Sequence, residues 1–117
     1  MVKLYGIPTC DTVRNARKFF KQNDIEIEFI NFKKTTVGAD KVEAWLKHIE
    51  LDKLFNNRGK TYRDLKLKDL NLDDAGRIKW LGENNMLFRR PIVEFNDTAL
   101  VGWDEEKYNE IFNKENI

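Results

Sequence analysis

The chain has 117 residues, 41% of them hydrophobic and 35% charged, with eight Phe and three Trp to build a core. That is enough chain for one folded domain with a well-solvated surface. Its 21 Lys and Arg against 20 Asp and Glu leave a formal net charge of +1, which excludes a general attraction to nucleic acid or anionic membrane. No apolar run approaches the ~18 residues of a membrane span. The single cysteine rules out an internal disulfide, and the passage from Met1 to a polar turn at Thr9 holds no secretory apolar stretch, so a cytoplasmic protein is expected.

Val2 to Tyr5 predicts a short strand, broken at Gly6 and Pro8 in a turn that runs to Thr9. A helix follows, with Val13, Ala16, Phe19 and Phe20 on one face and Arg14, Arg17 and Lys18 on the others, ending at Asn23-Asp24. Ile25, Ile27 and Phe29 then alternate with Glu26 and Glu28, the period of a half-buried strand that Ile30 to Phe32 can extend. Residues 2 to 32 therefore read as a βαβ unit with parallel strands and a right-handed crossover. Ligands of such sheets gather at the carboxyl ends of the strands, and Cys10 falls there.

The middle of the chain predicts shorter helices. Asp40 with Glu43 reads as a capping box for a helix burying Val42, Trp45, Leu46 and Ile49. Leu51 to Phe55 can make a further turn, Asn56 to Lys60 is a polar loop, and Thr61 to Leu65 opens another short helix. Asp73-Asp74 starts a stronger one, with Ala75, Ile78 and Leu81 inward and its end near Gly82 or Asn84-Asn85.

Ile92 to Phe95 and Thr98 to Val101, joined by Asn96-Asp97, predict an antiparallel hairpin, since Asn and Asp tolerate the positive φ of a two-residue turn. Gly102 leads out of it, and Asp104 can cap a last helix burying Tyr108, Ile111 and Phe112. The expected fold class is α/β: a four-stranded mixed sheet with flanking helices, compatible with a thioredoxin-like core. Residues 1–117 are read as one such domain, with a helical insertion from about 37 to 88 between the βαβ and ββα halves.

Cys10 stands where the first turn gives way to the first helix. Unpaired N–H groups of a helix's first turn and the helix dipole both favour thiolate over thiol, and a free thiol titrating near about 8.5 is commonly lowered in such a place. A plainer reading is a small apolar side chain of the core. Arg14, four residues on, can bring its guanidinium to the sulfur's side of the helix. In thioredoxin-like architectures the residues before the third strand's proline sit opposite the cysteine turn, which singles out Arg90 and Pro91, with a cis bond between them expected. Arg14, Arg58, Arg89 and Arg90 also read simply as solvated cations. His48 reads as a surface residue, and one cysteine with one histidine gives no expectation of a metal site.

Taken together, Tyr5-Gly6-Ile7-Pro8-Thr9-Cys10-Asp11-Thr12-Val13-Arg14-Asn15-Ala16, the Arg58-Gly59-Lys60-Thr61-Tyr62 loop and Arg90-Pro91-Ile92-Val93 resemble the glutaredoxin-coupled arsenate reductases. That family also takes in the Spx-type transcriptional regulators and a group of proposed glutathione-dependent thiol reductases. The resemblance implies that Cys10 is the nucleophile, that Arg90 binds an oxyanion with Arg58 and Arg14 as further cations, and that Thr12 and Pro91 support the site. It implies no bound cofactor, glutathione as co-substrate, glutathione or glutaredoxin as partner, and a small oxyanion or oxidised thiol as substrate. The family's arsenate reductases carry a histidine where this chain has Gly6, and Spx-type regulators a second cysteine where it has Val13. The expected activity is thus a glutathione-dependent thiol oxidoreductase with a single thiol. The alternative is an Spx-type regulator that binds RNA polymerase without catalysis.

Overall fold

The computed structural model describes residues 1–112. The chain divides into two compact units: Met1–Asn31 together with the chain from Arg90 onward, and Phe32–Arg89.

The first unit holds the whole sheet. Strands β1 (Val2–Gly6), β2 (Ile27–Asn31), β3 (Ile92–Phe95) and β4 (Thr98–Val101) lie in the order β2-β1-β3-β4. β1 and β2 are parallel, with Val2 opposite Ile27, while β1 with β3 and β3 with β4 are antiparallel. This is the mixed four-stranded sheet that the residue pattern predicts. The hairpin closes at Phe95 and Thr98, and Asn96 and Asp97 adopt φ of 46° and 61°. Positive φ at both turn positions matches the twist of the flanking strands, and these two side chains tolerate it.

Helix α1 (Asp11–Gln22) buries Val13, Ala16, Phe19 and Phe20. Its C-terminus closes with Asp24 at φ 56°, the Ile25 N–H donating to Phe20 O (2.9 Å) and the Asp24 N–H to Lys21 O (3.2 Å). That reciprocal pair satisfies the last carbonyls and turns the chain into β2. The apolar face of α1 packs with Val2, Leu4, Val93, Tyr108 and Phe112 in one core cluster. Edge-on ring contacts such as Phe20 with Phe112, centroids 4.9 Å apart, fix its geometry. The closing helix, Glu105–Ile111 and numbered α6 in chain order, is capped by Asp104, which accepts from the Lys107 N–H at 3.1 Å. It buries Tyr108, and the following Phe112 is also buried, while Ile111 is half-buried rather than inward.

The second unit is helical: α2 (Ala39–Leu46), α3 (Leu51–Leu54), α4 (Lys60–Asp64) and α5 (Asp74–Glu83). Two 3-10 turns, Leu67–Leu70 and Asn85–Leu87, are absent from the sequence expectations, because single turns carry no periodicity to read. Phe88 stacks on Phe32 and meets Trp45 edge-on. Asn85, buried, accepts from the Val37 N–H (2.7 Å) and donates to Val37 O and Leu81 O (both 2.9 Å). Asp73 caps α5 by accepting from the Gly76 N–H at 2.8 Å, as expected. Four expectations need correction, the first being that Leu46 is half-buried rather than inward on α2. The N-cap of α2 is Gly38, and Asp40 lies inside the first turn with no capping bond from the N-cap side chain, so the capping box does not form. Ala75 is exposed and Ile78 only half-buried, because the inward stripe of α5 narrows to Leu81. The fourth helix begins at Lys60 rather than Thr61, after Gly59.

Candidate functional site

Gly6 ends β1, and the backbone must turn from the sheet into α1 within the next four residues. An added Cβ at Gly6 would stand 2.6 Å from Val13 Cγ2, so β1 and the first turn of α1 approach so closely that only glycine fits. This contact sets the position of Cys10, the N-cap of α1, whose carbonyl accepts the first helical bond from Arg14 N at 2.9 Å.

The thiol is partly exposed and unpaired with any other cysteine. Burial pushes its titration up, but several effects outweigh that push and leave the net direction downward: the Thr12 hydroxyl, then the N–H groups of Val13 and Thr12 in the first turn, then the positive charge of Arg90. Cys10 Sγ lies 3.2 Å from Thr12 Oγ1, and the same hydroxyl donates to the Arg90 carbonyl at 2.9 Å. Across 78 residues of sequence, one threonine thus links the cysteine turn to the segment that enters β3. The Arg90–Pro91 bond is cis, as expected, and Pro91 is buried.

Cys10, Thr12, Arg90 and Pro91 are therefore brought together. Arg14 is on the same helix, but its guanidinium pairs with Asp11, both side chains exposed, and the cation that acts on the thiol is Arg90. Arg58 belongs to the other unit; it is exposed, its N–H donates to Asn56 Oδ1 (3.1 Å) and its carbonyl accepts from Arg63 Nη1 (2.7 Å). His48 is exposed. Among the described residues no group of three or more His, Cys, Asp and Glu is clustered to hold a metal ion. No helix there is long and apolar enough to cross a membrane. The role of the Arg90 backbone carbonyl and the Gly6–Val13 contact escaped the sequence reading; main-chain acceptors carry no residue signal, and the contact joins positions from two different elements.

The chain as a whole has counterparts among known proteins. A protein of Haemophilus influenzae is 31% identical over 113 residues, covering 96% of this chain and 99% of its own. The global transcriptional regulator Spx of Staphylococcus aureus is 31% identical over 111 residues, covering 92% and 83%. Among solved structures, a possible arsenate reductase from Streptococcus mutans superposes with a TM-score of 0.75 at 30% identity, covering 88% of this chain and 91% of that one. The fold is accordingly that of the thioredoxin-like arsenate reductase relatives. The ArsC family model matches residues 5–111, a span that runs from the end of β1 through Cys10 and Arg90 to the end of α6, and the chain belongs to the ArsC family.

Proposed function

We propose that the protein is a thiol oxidoreductase of the arsenate reductase type, working with one nucleophilic cysteine in the reducing cytoplasm and using glutathione to complete its cycle. The observation that carries this reading is the downward-shifted Cys10 thiol, flanked by first-turn N–H groups and the Arg90 charge. With a disulfide substrate, the Cys10 thiolate forms a new S–S bond and the displaced sulfur leaves as a thiolate. Glutathione thiolate then attacks the substrate-derived sulfur, so that Cys10 departs as thiolate and a second disulfide carries away the oxidising equivalents. With arsenate, the thiolate bonds to arsenic(V) with loss of water. Glutathione then attacks the Cys10 sulfur, the S–As electron pair leaves with arsenic(III), and a second thiol resolves the Cys10–glutathione disulfide. Arg90 stabilises the negative charge on the oxyanion. With no other cysteine in the chain, the resolving thiol comes from outside, from glutathione or glutaredoxin.

The test is the alkylation rate of Cys10 against pH in the unmodified protein and in Arg90→Lys and Arg90→Ala. The expected midpoint lies below about 8.5, rising in Arg90→Ala, with sulfate or arsenate slowing the unmodified protein most. A midpoint at the unperturbed value overturns the reading. The likeness to Spx favours a second reading, a regulator that binds RNA polymerase through its surface. Recovery of polymerase by the Cys10→Ser protein at full stoichiometry supports that one, and capture of glutathione or glutaredoxin as a Cys10 mixed disulfide supports catalysis.

A further inference from the structure

The Thr12 hydroxyl has two partners and one proton. A carbonyl oxygen can only accept, so the 2.9 Å bond to Arg90 O uses that proton. What then faces Cys10 Sγ, 3.2 Å away, is a lone pair of Oγ1, a good acceptor for an S–H donor. This geometry suits the neutral thiol. A thiolate has no proton to give, and a lone pair aimed at it is repulsive. Ionisation of Cys10 therefore favours a rotation about the Cβ–Oγ1 bond that swings the hydroxyl proton from the Arg90 carbonyl onto the sulfur, with no heavy atom required to move.

We propose that Thr12 is a positioning residue that works as a one-proton toggle: its hydroxyl holds the Arg90 carbonyl while Cys10 is a thiol or carries an adduct, and lets go of it to stabilise the thiolate. The inference rests on the reading of Cys10 as the reactive thiol. Its consequence is that the state of the sulfur is transmitted to the backbone of the residue whose guanidinium acts on it. As thiolate, the sulfur gains the hydroxyl as donor and Arg90 loses one restraint. Once the sulfur is bonded to another atom it has no charge to attract the proton, and the restraint returns. The charge that acts on Cys10 is Arg90, while Asp11 and Arg14 on α1 are paired with each other. None of them offers the sulfur a proton that can be exchanged between two acceptors in this way.

The experiment follows the Arg90 carbonyl carbon by NMR across a pH titration, alongside ultraviolet thiolate absorbance, in the unmodified protein, Thr12→Ser, Thr12→Val and Cys10→Ala. Loss of a hydrogen bond moves a carbonyl carbon's shift. The expected result is an Arg90 carbonyl titration with the same midpoint as the thiolate in the unmodified protein and in Thr12→Ser, and a flat response in Thr12→Val and Cys10→Ala. Thr12→Val should also alkylate about fivefold to tenfold more slowly below its raised midpoint, with Thr12→Ser restoring the rate. A flat Arg90 carbonyl in the unmodified protein overturns the proposal, as the hydroxyl then never leaves Arg90. An equal titration in Thr12→Val also overturns it, because the shift then follows the sulfur's charge through space. A depressed thiol midpoint with a flat carbonyl sinks the toggle and leaves the oxidoreductase reading standing, whereas an ordinary midpoint with a titrating carbonyl does the reverse.

Discussion

The starts of α1 and α6 both place an extended residue at the N-cap and cap the helix differently. At α6, Asp104 turns its carboxylate onto the Lys107 N–H, and Asp73 does the same for α5 with Gly76. At α1 the N-cap is Cys10, in an extended conformation with φ −85° and ψ 128°, and its side chain makes no capping hydrogen bond. An aspartate in this position completes the helix; a cysteine leaves the first-turn N–H groups to favour whatever charge the sulfur acquires. The difference teaches that helix capping and thiol activation draw on the same orphan donors. A chain that keeps a thiol there forgoes some stability for reactivity.

The largest expected effect comes from disturbing how α1 is seated. In Gly6→Ala the new Cβ would meet Val13 Cγ2 at 2.6 Å, an overlap inside a buried contact that should destabilise the protein by about 1–3 kcal/mol. Urea unfolding measures it, and Val13→Ala in the same chain should recover part of the loss; unaltered stability in Gly6→Ala would mean that β1 and α1 part easily. Next comes the ordinary cap. Asp104→Ala should cost about 1 kcal/mol while leaving the pH profile of Cys10 alkylation untouched, so a moved profile would undo the contrast between the two helix starts. Cys10→Asp sharpens the contrast from the other side. It should abolish alkylation and raise stability by about 0.5–1 kcal/mol at neutral pH, read as a higher urea midpoint.

The smallest effect is linkage. A thiol whose folded pKa is depressed adds stability that is fully present above the unfolded value of about 8.5 and is lost as pH falls through the folded pKa. The stability difference between the unmodified protein and Cys10→Ala should therefore grow with pH across that window and level off above it. A difference that is flat from neutral pH to the alkaline side removes thiolate stabilisation from the account.

How much of this was legible in the residues depended on distance along the chain. Asn96-Asp97 between two alternating runs specified a hairpin that forms with both residues at positive φ, and Asp73 and Asp104 cap as their types suggest. The βαβ order and the inward face of α1 were equally readable, because each is a periodic local pattern. Asp40 misled because a capping pattern alone does not say whether the chain enters the helix two residues earlier, and with Gly38 as N-cap it does. Asn85, read as a helix end, is a buried bridge to Val37, 48 residues away. The candidate site divides the same way. Cys10 was identifiable from its turn, and Arg90 and Pro91 from a family motif, whereas the Thr12 bond to Arg90 joins residues 78 positions apart through a main-chain oxygen that every residue possesses.

The sheet order also has a consequence for how the protein comes into being. β1 sits between β2 and β3, yet β3 begins only at Ile92, so the first strand to be synthesised keeps one open edge until most of the chain has emerged. Pairing across so long a loop is slow to form, and an open strand edge is a site of mispairing meanwhile. Arg90 arrives with that last piece. A nascent or partly folded chain that has formed the start of α1 has the cysteine, the Thr12 hydroxyl and the first-turn N–H groups, but not the arginine charge that adds to them. The Arg90 share of thiol activation is thereby a late property of the folded chain, added only once β3 has found β1.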